Sequence, residues 1–439
     1  MSDSSSSNRL VRELGLFGAV MMGLGSIVGT GVFVSLGVAT GVTGPAVIIA
    51  VAIGAGVATC NGLSSAQLAA NHAVSGGTYE YGYKYLTPRL GFTAGWMFLI
   101  AKSMSAATAA LGFAGYLLGA FGIESKGLLV PVALGAVLGL TGVVLSGMRR
   151  SNAANITIVS ITLSALLFFV VAGSPTALSN GTANFAGFFE APDGSGGLSA
   201  LLYASALMFV AYTGYGRIAT LGEEVKQPRT TIPRAIILTL VVTMTLYIAV
   251  AAVAVGSVGP GALSSAAEQD AAPLVVAARS FGVPGASQIL SFGAVTAMLG
   301  VLLNLILGLS RVLLAMGRRG DVPTLFGQVN AAGTTPVPSV LTVGLGIAGL
   351  TLIGDVKTTW SFSAFTVLVY YALTNLSALY IPRENQLYPR WIAATGLLAC
   401  GGLAFFVTPW IWHTGLGLIA AGIVWQGIAR WQRHGATGS

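Results

Sequence analysis

The stretch Gly25-Ser26-Ile27-Val28-Gly29-Thr30-Gly31 places three glycines in seven residues, inside an apolar segment running from Leu14 to Thr40. Each glycine weakens a helix by roughly 1 kcal/mol relative to alanine. Where a helix gives way in lipid, backbone N–H and C=O groups lose their partners and no water replaces them. Those groups are the chemistry on offer. Free N–H groups at a half-helix N-terminus take a carboxylate, and free carbonyls at a C-terminal end take an ammonium. The same spacing, Gly25-x-x-x-Gly29, also suits close packing of two helices. A second interruption, Tyr212-Thr213-Gly214-Tyr215-Gly216-Arg217, falls in the sixth apolar segment. Two glycine-broken spans in corresponding positions of two halves point to a transporter binding site. Here the halves run from Leu14 to Gly173 and from Leu198 to Tyr380.

Two cations lie within apolar segments, and an ionisable side chain at membrane depth is a functional candidate. Lys102 sits about thirteen residues into the third span, on the order of 20 Å along a helix. Arg217 directly follows the sixth-span break. All 13 carboxylates fall near span ends or in loops, so neither cation has an obvious partner at its own depth. Arg217 either holds the carbonyls of the break or faces the vestibule and attracts anionic groups. Lys102 either snorkels to carbonyls or carries a coupling proton. Glu223 and Glu224, beside Lys226, Arg229 and Arg234, read as a cytoplasmic gate of ion pairs or as a solvated loop of weak surface pairs.

The elements that position these residues follow from composition. Of 439 residues, 54% are hydrophobic and 8% charged, and the mean hydropathy is +0.82. This is the composition of a polytopic membrane protein. Cys60 and Cys400 lie within apolar segments and imply no disulfide framework. His72, His413 and His434 are far apart, so no metal site is expected. No nucleophile–base constellation and no nucleotide-binding motif appear, so neither an enzyme nor a cofactor is expected, and ATP-driven transport by this chain alone is excluded. The net charge of +8 is spread over short loops, which argues against nucleic acid as a partner.

The hydropathy pattern predicts an all-α protein of twelve transmembrane helices. The approximate limits are 14–39, 45–67, 89–120, 127–146, 153–173, 198–222, 232–258, 285–316, 338–354, 359–380, 391–408 and 410–429. A first half (residues 14–173) and a second (198–380) are followed by two further spans (391–429), with tails at residues 1–13 and 430–439. With the N-terminus inside, the cytoplasmic segments hold sixteen basic residues and the outside three (Lys126, Arg279 and Lys357). The positive-inside rule then places both termini in the cytoplasm. The first span, preceded by Arg9 and Arg12 and lacking a small-residue cleavage site, reads as an uncleaved helix. Ser174 to Gly197 and Gly259 to Pro284 read as longer outer loops. Ser75-Gly76-Gly77-Thr78-Tyr79 reads as an inner turn with an aromatic flank.

Four stretches resemble the amino acid–polyamine–organocation superfamily, in order along nearly the whole chain. Gly25 to Phe33 resembles its first-helix signature, and Ser75 to Tyr81 its first cytoplasmic loop. Phe209 to Tyr215, running on to Glu223-Glu224-Val225-Lys226-Gln227-Pro228, resembles its sixth helix and following loop. Arg311 to Met316 resembles the end of its eighth helix. The bacterial relatives of cationic amino acid transporters are the most similar in flavour. The resemblance implies a leucine-transporter-like fold of five plus five inverted repeats, with spans one and six discontinuous. It implies an amino acid permease of the bacterial inner membrane working by alternating access. The substrate carboxylate would dock on N–H groups from Ile27 through Val28, Gly29 and Thr30 to Gly31, and the ammonium on carbonyls near Ser26 and from Phe209 to Tyr212, with Thr213, Gly214 and Tyr215 beside them.

Two departures stand out. Some relatives carry a lysine in the fifth span as a proton site, where this chain has Thr162. Many carry an acidic residue where this chain has Gly216, followed by Arg217. Coupling is therefore expected through Lys102, through a sodium ion, or not at all. A neutral amino acid is favoured as substrate, an acidic one second, and a cationic amino acid or polyamine third, because like charges in a low-dielectric cavity repel by several kcal/mol. A channel or a transport-fold receptor is the alternative of another class.

Overall fold

The computed structural model describes residues 14–72, 76–123, 125–147, 152–190, 197–219, 225–330 and 335–436. Among these the regular structure is helical, apart from one isolated parallel bridge between Leu14 and Val225, where Lys226 N donates to Leu14 O at 2.9 Å. That bridge ties the start of the first span to the segment after the sixth. In a bilayer only internally bonded backbone is tolerated, which is why apolar runs of this length become helices.

The first apolar segment forms α1 (Leu16–Ile27), a short wide turn (Gly31–Ser35) and α2 (Leu36–Thr43). Gly44, at φ 65°, takes a backbone conformation that residues with a Cβ rarely adopt. Pro45 follows it, the chain reverses, and α3 (Val47–Asn71) returns. Helix α4 (Thr78–Tyr85) occupies the loop before α5 (Pro88–Ala120), where the sequence suggested only a turn. Helices α6 (Lys126–Leu145) and α7 (Asn152–Asn184) complete the first half. Helix α7 runs past Pro175 to Asn184, through residues the sequence reads as loop. Asn180 and Asn184 there donate to Ser257 O and Gly256 O at 3.1 and 2.7 Å, which docks this extension on a helix of the second half.

The second half opens with α8 (Gly197–Tyr212), a tight turn at Thr213–Tyr215 and α9 (Gly216–Ala219). Then come α10 (Pro228–Gln269), kinked at Gly259-Pro260, α11 (Pro273–Arg279) and α12 (Ala286–Arg319). Helices α13 (Val337–Thr351), α14 (Val356–Leu379), α15 (Arg390–Leu403) and α16 (Pro409–Ala436) finish the chain. Among the described residues, nine helical stretches are long and apolar enough to cross a membrane, and the first, Leu16–Asn71, contains α1 to α3. Val337–Thr351 and Arg390–Phe406 are apolar but shorter.

Exposure separates a core from a periphery. Leu345 on α13 is 63% exposed and Leu398 on α15 is 77% exposed. With Val171 on α7 and Val424 on α16, also exposed, they form an apolar outer surface that suits lipid. The interior is built from α3, α5, α8, α12 and α14, and α1 packs chiefly on α7 and α10. Hydroxyl pairs join α5 to α14, Ser105 with Ser363 at 2.7 Å and Thr108 with Thr359 at 2.8 Å.

Candidate substrate site

The first break follows directly from its sequence. Helix α1 ends at Ile27, and Val28 is extended (φ −77°, ψ 103°) with its N–H on Leu24 O at 2.7 Å. The chain becomes helical again beyond Gly29, as a wide turn in which Val32 and Phe33 N–H both donate to Gly29 O, at 3.1 and 3.2 Å. The first N–H groups of such a restarted helix have no preceding turn to bond. The second break is milder. Helix α8 tightens at Thr213-Gly214-Tyr215 and resumes at Gly216.

The two breaks touch. A Cβ on Gly214 would overlap the Ser26 carbonyl, and one on Gly31 would overlap Ala211. Tyrosines carry the carbonyls that the breaks release. Tyr247 OH donates to Ile27 O at 3.0 Å, and Tyr371 OH donates to Thr213 O at 3.0 Å. Tyr215 packs on Tyr371 with ring centroids 5.4 Å apart, and Tyr212 on Tyr247 at 5.2 Å. Thr30 Oγ1 and Tyr212 OH are buried beside the breaks with no hydrogen-bond partner among the described residues. Buried hydroxyls in that state carry spare bonding capacity.

A cavity of about 1080 Å³, counting its open mouth, lies against the breaks. Ser26, Thr213, Gly214, Gly216 and Arg217 form its floor. Phe98 and Lys102 of α5, Tyr370 and Tyr371 of α14, and Val301, Asn304, Leu305 and Gly308 of α12 form its walls. Gly76, Gly77 and Arg311 lie on it at the end from which α5 starts and towards which α12 runs. On the other side of the breaks, Phe33, Tyr116, Phe209 and Trp360 are buried. There Tyr116 OH donates to Phe33 O at 2.6 Å and Trp360 Nε1 to Leu207 O at 3.0 Å.

Lys102 is 9% exposed and turns onto the cavity, where its ammonium donates to Thr213 Oγ1 at 2.7 Å. Thr213 in turn donates to Val210 O at 2.8 Å. The third span is thus joined to the sixth-span break by one charge-assisted hydrogen bond.

The sequence candidates divide into three groups. Ser26, Thr213, Gly214, Lys102 and Arg217 reach the cavity. Ile27, Val28, Thr30, Phe209, Tyr212 and Tyr215 are buried and are not among its lining residues. Gly29 packs on Val301, itself a wall residue, and Gly31 on Ala211. Thr162 is buried on α7, with its hydroxyl returned to Ile158 O at 2.8 Å, and is not among the cavity's lining residues. Glu223 and Glu224 lie outside the described residues. Sequence reasoning missed Phe98, Val301, Asn304, Tyr370 and Tyr371. A lone amide at Asn304 and the adjacent tyrosine pair within apolar segments were the available signals.

Residues 18–430 match the family described as Amino acid permease. An uncharacterized transporter of Mycobacterium tuberculosis (strain ATCC 25618 / H37Rv) is 38% identical over 423 residues, covering 96% of this chain and 92% of the relative. The branched-chain amino acid permease BcaP of Bacillus subtilis (strain 168) is 26% identical, with the same coverage of 96% and 92%. Cationic amino acid transporter 3, mitochondrial, of Arabidopsis thaliana is 28% identical over 82% of this chain and 61% of its own length. The chain belongs to the amino acid permease family, within the amino acid–polyamine–organocation superfamily.

Proposed function

We propose that this protein is a secondary active transporter that moves an amino acid across the membrane by alternating access. The observation that carries the reading is the meeting of two helix breaks on the floor of one cavity. The N–H groups that restart the first helix take the substrate carboxylate, and the carbonyls at the end of α8 take its ammonium. Twelve spans fit the chain when Leu16–Asn71 is divided at Gly44-Pro45 and the two shorter apolar helices are included. Five plus five of them form inverted repeats, and both termini are cytoplasmic. The cavity's mouth then faces the cytoplasm, and the buried layer of Phe33, Tyr116, Phe209 and Trp360 closes the outer side.

The substrate side chain is uncharged or acidic. Lys102 lines the cavity with its ammonium on Thr213 Oγ1, and no carboxylate is among the described lining residues. A cationic side chain or a polyamine would meet like charge in a space of low dielectric. This weighs against carrying over the substrate named for the plant relatives, and it is compatible with the one named for BcaP. Purified protein in liposomes, loaded with unlabelled amino acid and presented with a panel of radiolabelled ones, tests the reading. Saturable exchange of at least one amino acid is expected. No exchange across the panel refutes it.

A further inference from the structure

Lys102 is a buried residue on the wall of the cavity. Its ammonium is held within the span by its hydrogen bond to Thr213 Oγ1 at 2.7 Å. Because that hydroxyl spends its own proton on Val210 O at 2.8 Å, it can only accept from the lysine. Lys102 is therefore the donor, with two further N–H bonds to give and the cavity beside it. A buried ammonium without a carboxylate is costly. The carboxylates with described partners are committed elsewhere. Asp321 accepts from Tyr79 and Tyr83, Glu80 pairs with Arg319, and Asp355 accepts from the N–H groups of Lys357 and Thr358 at the start of α14.

We propose that Lys102 is the counter-charge for a carboxylate on the substrate's side chain, so that the site selects an amino dicarboxylate such as glutamate or aspartate over a neutral amino acid. The inference rests on the transporter reading and places the acidic side chain ahead of the neutral one that the sequence favours. The substrate's α-carboxylate and ammonium go to the two breaks, and its second carboxylate pairs with the Lys102 ammonium. A neutral side chain leaves the ammonium uncompensated, and a cationic one is repelled by it.

The test is uptake of radiolabelled glutamate and of radiolabelled leucine by the reconstituted full-length protein, with unlabelled aspartate, alanine and arginine as competitors. Wild-type protein is expected to take glutamate with an apparent affinity at least tenfold higher than leucine. Aspartate should compete, and arginine should not. Lys102→Gln retains a donor for Thr213 but no charge, and should lower the glutamate-to-leucine uptake ratio at least tenfold. Lys102→Arg retains the charge and should keep the ratio within about threefold of wild type. Leucine uptake that glutamate and aspartate fail to inhibit overturns the proposal and leaves the transporter reading standing. So does an unchanged glutamate-to-leucine ratio in Lys102→Gln. Failure of the wild type to exchange any amino acid overturns both. If Lys102→Gln is not recovered as folded protein, the wild-type competition series and Lys102→Arg decide the matter.

Discussion

Gly214 lies directly against the Ser26 carbonyl. A Cβ on Gly214 would overlap that group and stand 2.6 Å from Ile27 N, so the two broken helices meet backbone to backbone. Overfilling a packed contact costs about 1–3 kcal/mol, and tenfold in rate corresponds to about 1.4 kcal/mol. Gly214→Ala is expected to slow uptake by roughly ten- to a hundredfold while folded protein remains in the membrane. Gly29→Leu should act in the same direction, since even a Cβ there comes within 2.7 Å of Val301 Cγ2. Gly56→Ala is the matched control, because nothing lies within 4 Å of its new methyl group. Initial uptake rates of the three variants in liposomes check this. Wild-type rates for Gly214→Ala and Gly29→Leu would make the breaks packing devices and nothing more.

The uneven placement of basic residues predicts an orientation. Arg318 lies in the last turn of α12, beyond the cavity-lining Arg311, whereas Lys357 lies in the first turn of α14, within 3.6 Å of Glu268. With termini inside, Lys357→Cys should react with an impermeant maleimide added to intact cells. Arg318→Cys should react only after permeabilisation. The native thiols do not interfere, since Cys400 is buried and Cys60 lies within α3. Labelling of Arg318→Cys from outside reverses the proposed topology.

Particular residues show how far the sequence could be read. Gly25 to Gly31 and Thr213 to Gly216 announced both breaks, because glycine clusters in apolar runs have few uses other than packing or interruption. The cavity walls were hidden. Phe98, Val301 and Tyr370 come from three helices whose side chains converge only after the bundle is assembled, and apolar periodicity does not tell a wall facing a cavity from one facing another helix. The continuation of α7 to Asn184 was also hidden. Its Gly, Ser and Asn residues read as loop, and their helical state depends on docking against Ser257 and Gly256. Lys102 was visible as an anomaly, but its bond to Thr213 joins positions 111 residues apart, beyond any local pattern.

Helix α4 is clasped to the end of α12. Asp321 Oδ2 accepts from Tyr83 OH at 2.6 Å and from Tyr79 OH at 2.7 Å. Trp425 Nε1 donates to Asp321 O at 3.1 Å, and Arg319 lies 4.1 Å from the centroid of the Tyr83 ring. Hydrogen bonds to a charged group contribute about 1.5–3 kcal/mol. Asp321→Asn should therefore raise amide hydrogen exchange across residues 78–85 by about tenfold or more. Burial, and then the hydrogen bond to Asp321, hold the Tyr79 phenol above its usual pKa. A raised phenol value means that the donor is fully present below about pH 10 and is lost only as pH climbs through the higher folded value. Protection of residues 78–85 should accordingly be the same at neutral pH and at about pH 9, after correction for intrinsic exchange. A loss of protection by about pH 9 would show that another group holds α4 in place.

The fifth span is expected to carry no coupling proton. Its candidate position is Thr162, which is 1% exposed and gives its hydroxyl proton to Ile158 O at 2.8 Å within its own helix. Threonine does not titrate in the physiological range, and a hydroxyl bonded to the preceding turn of its own helix contributes little to helix stability. Thr162→Val removes that bond and nothing ionisable. The variant should change stability by no more than about 1 kcal/mol and leave the pH profile of uptake superimposable on that of the wild type. Uptake driven in turn by an inward proton gradient, by an inward sodium gradient and by internal amino acid alone separates the remaining couplings. If the pH profile of Thr162→Val moved while its uptake at saturating substrate stayed near wild type, the fifth span would regain a part in coupling. If proton, sodium and exchange conditions all support the same rate in wild type and variant, transport is set by the amino acid gradient, and no titratable group on α7 is required.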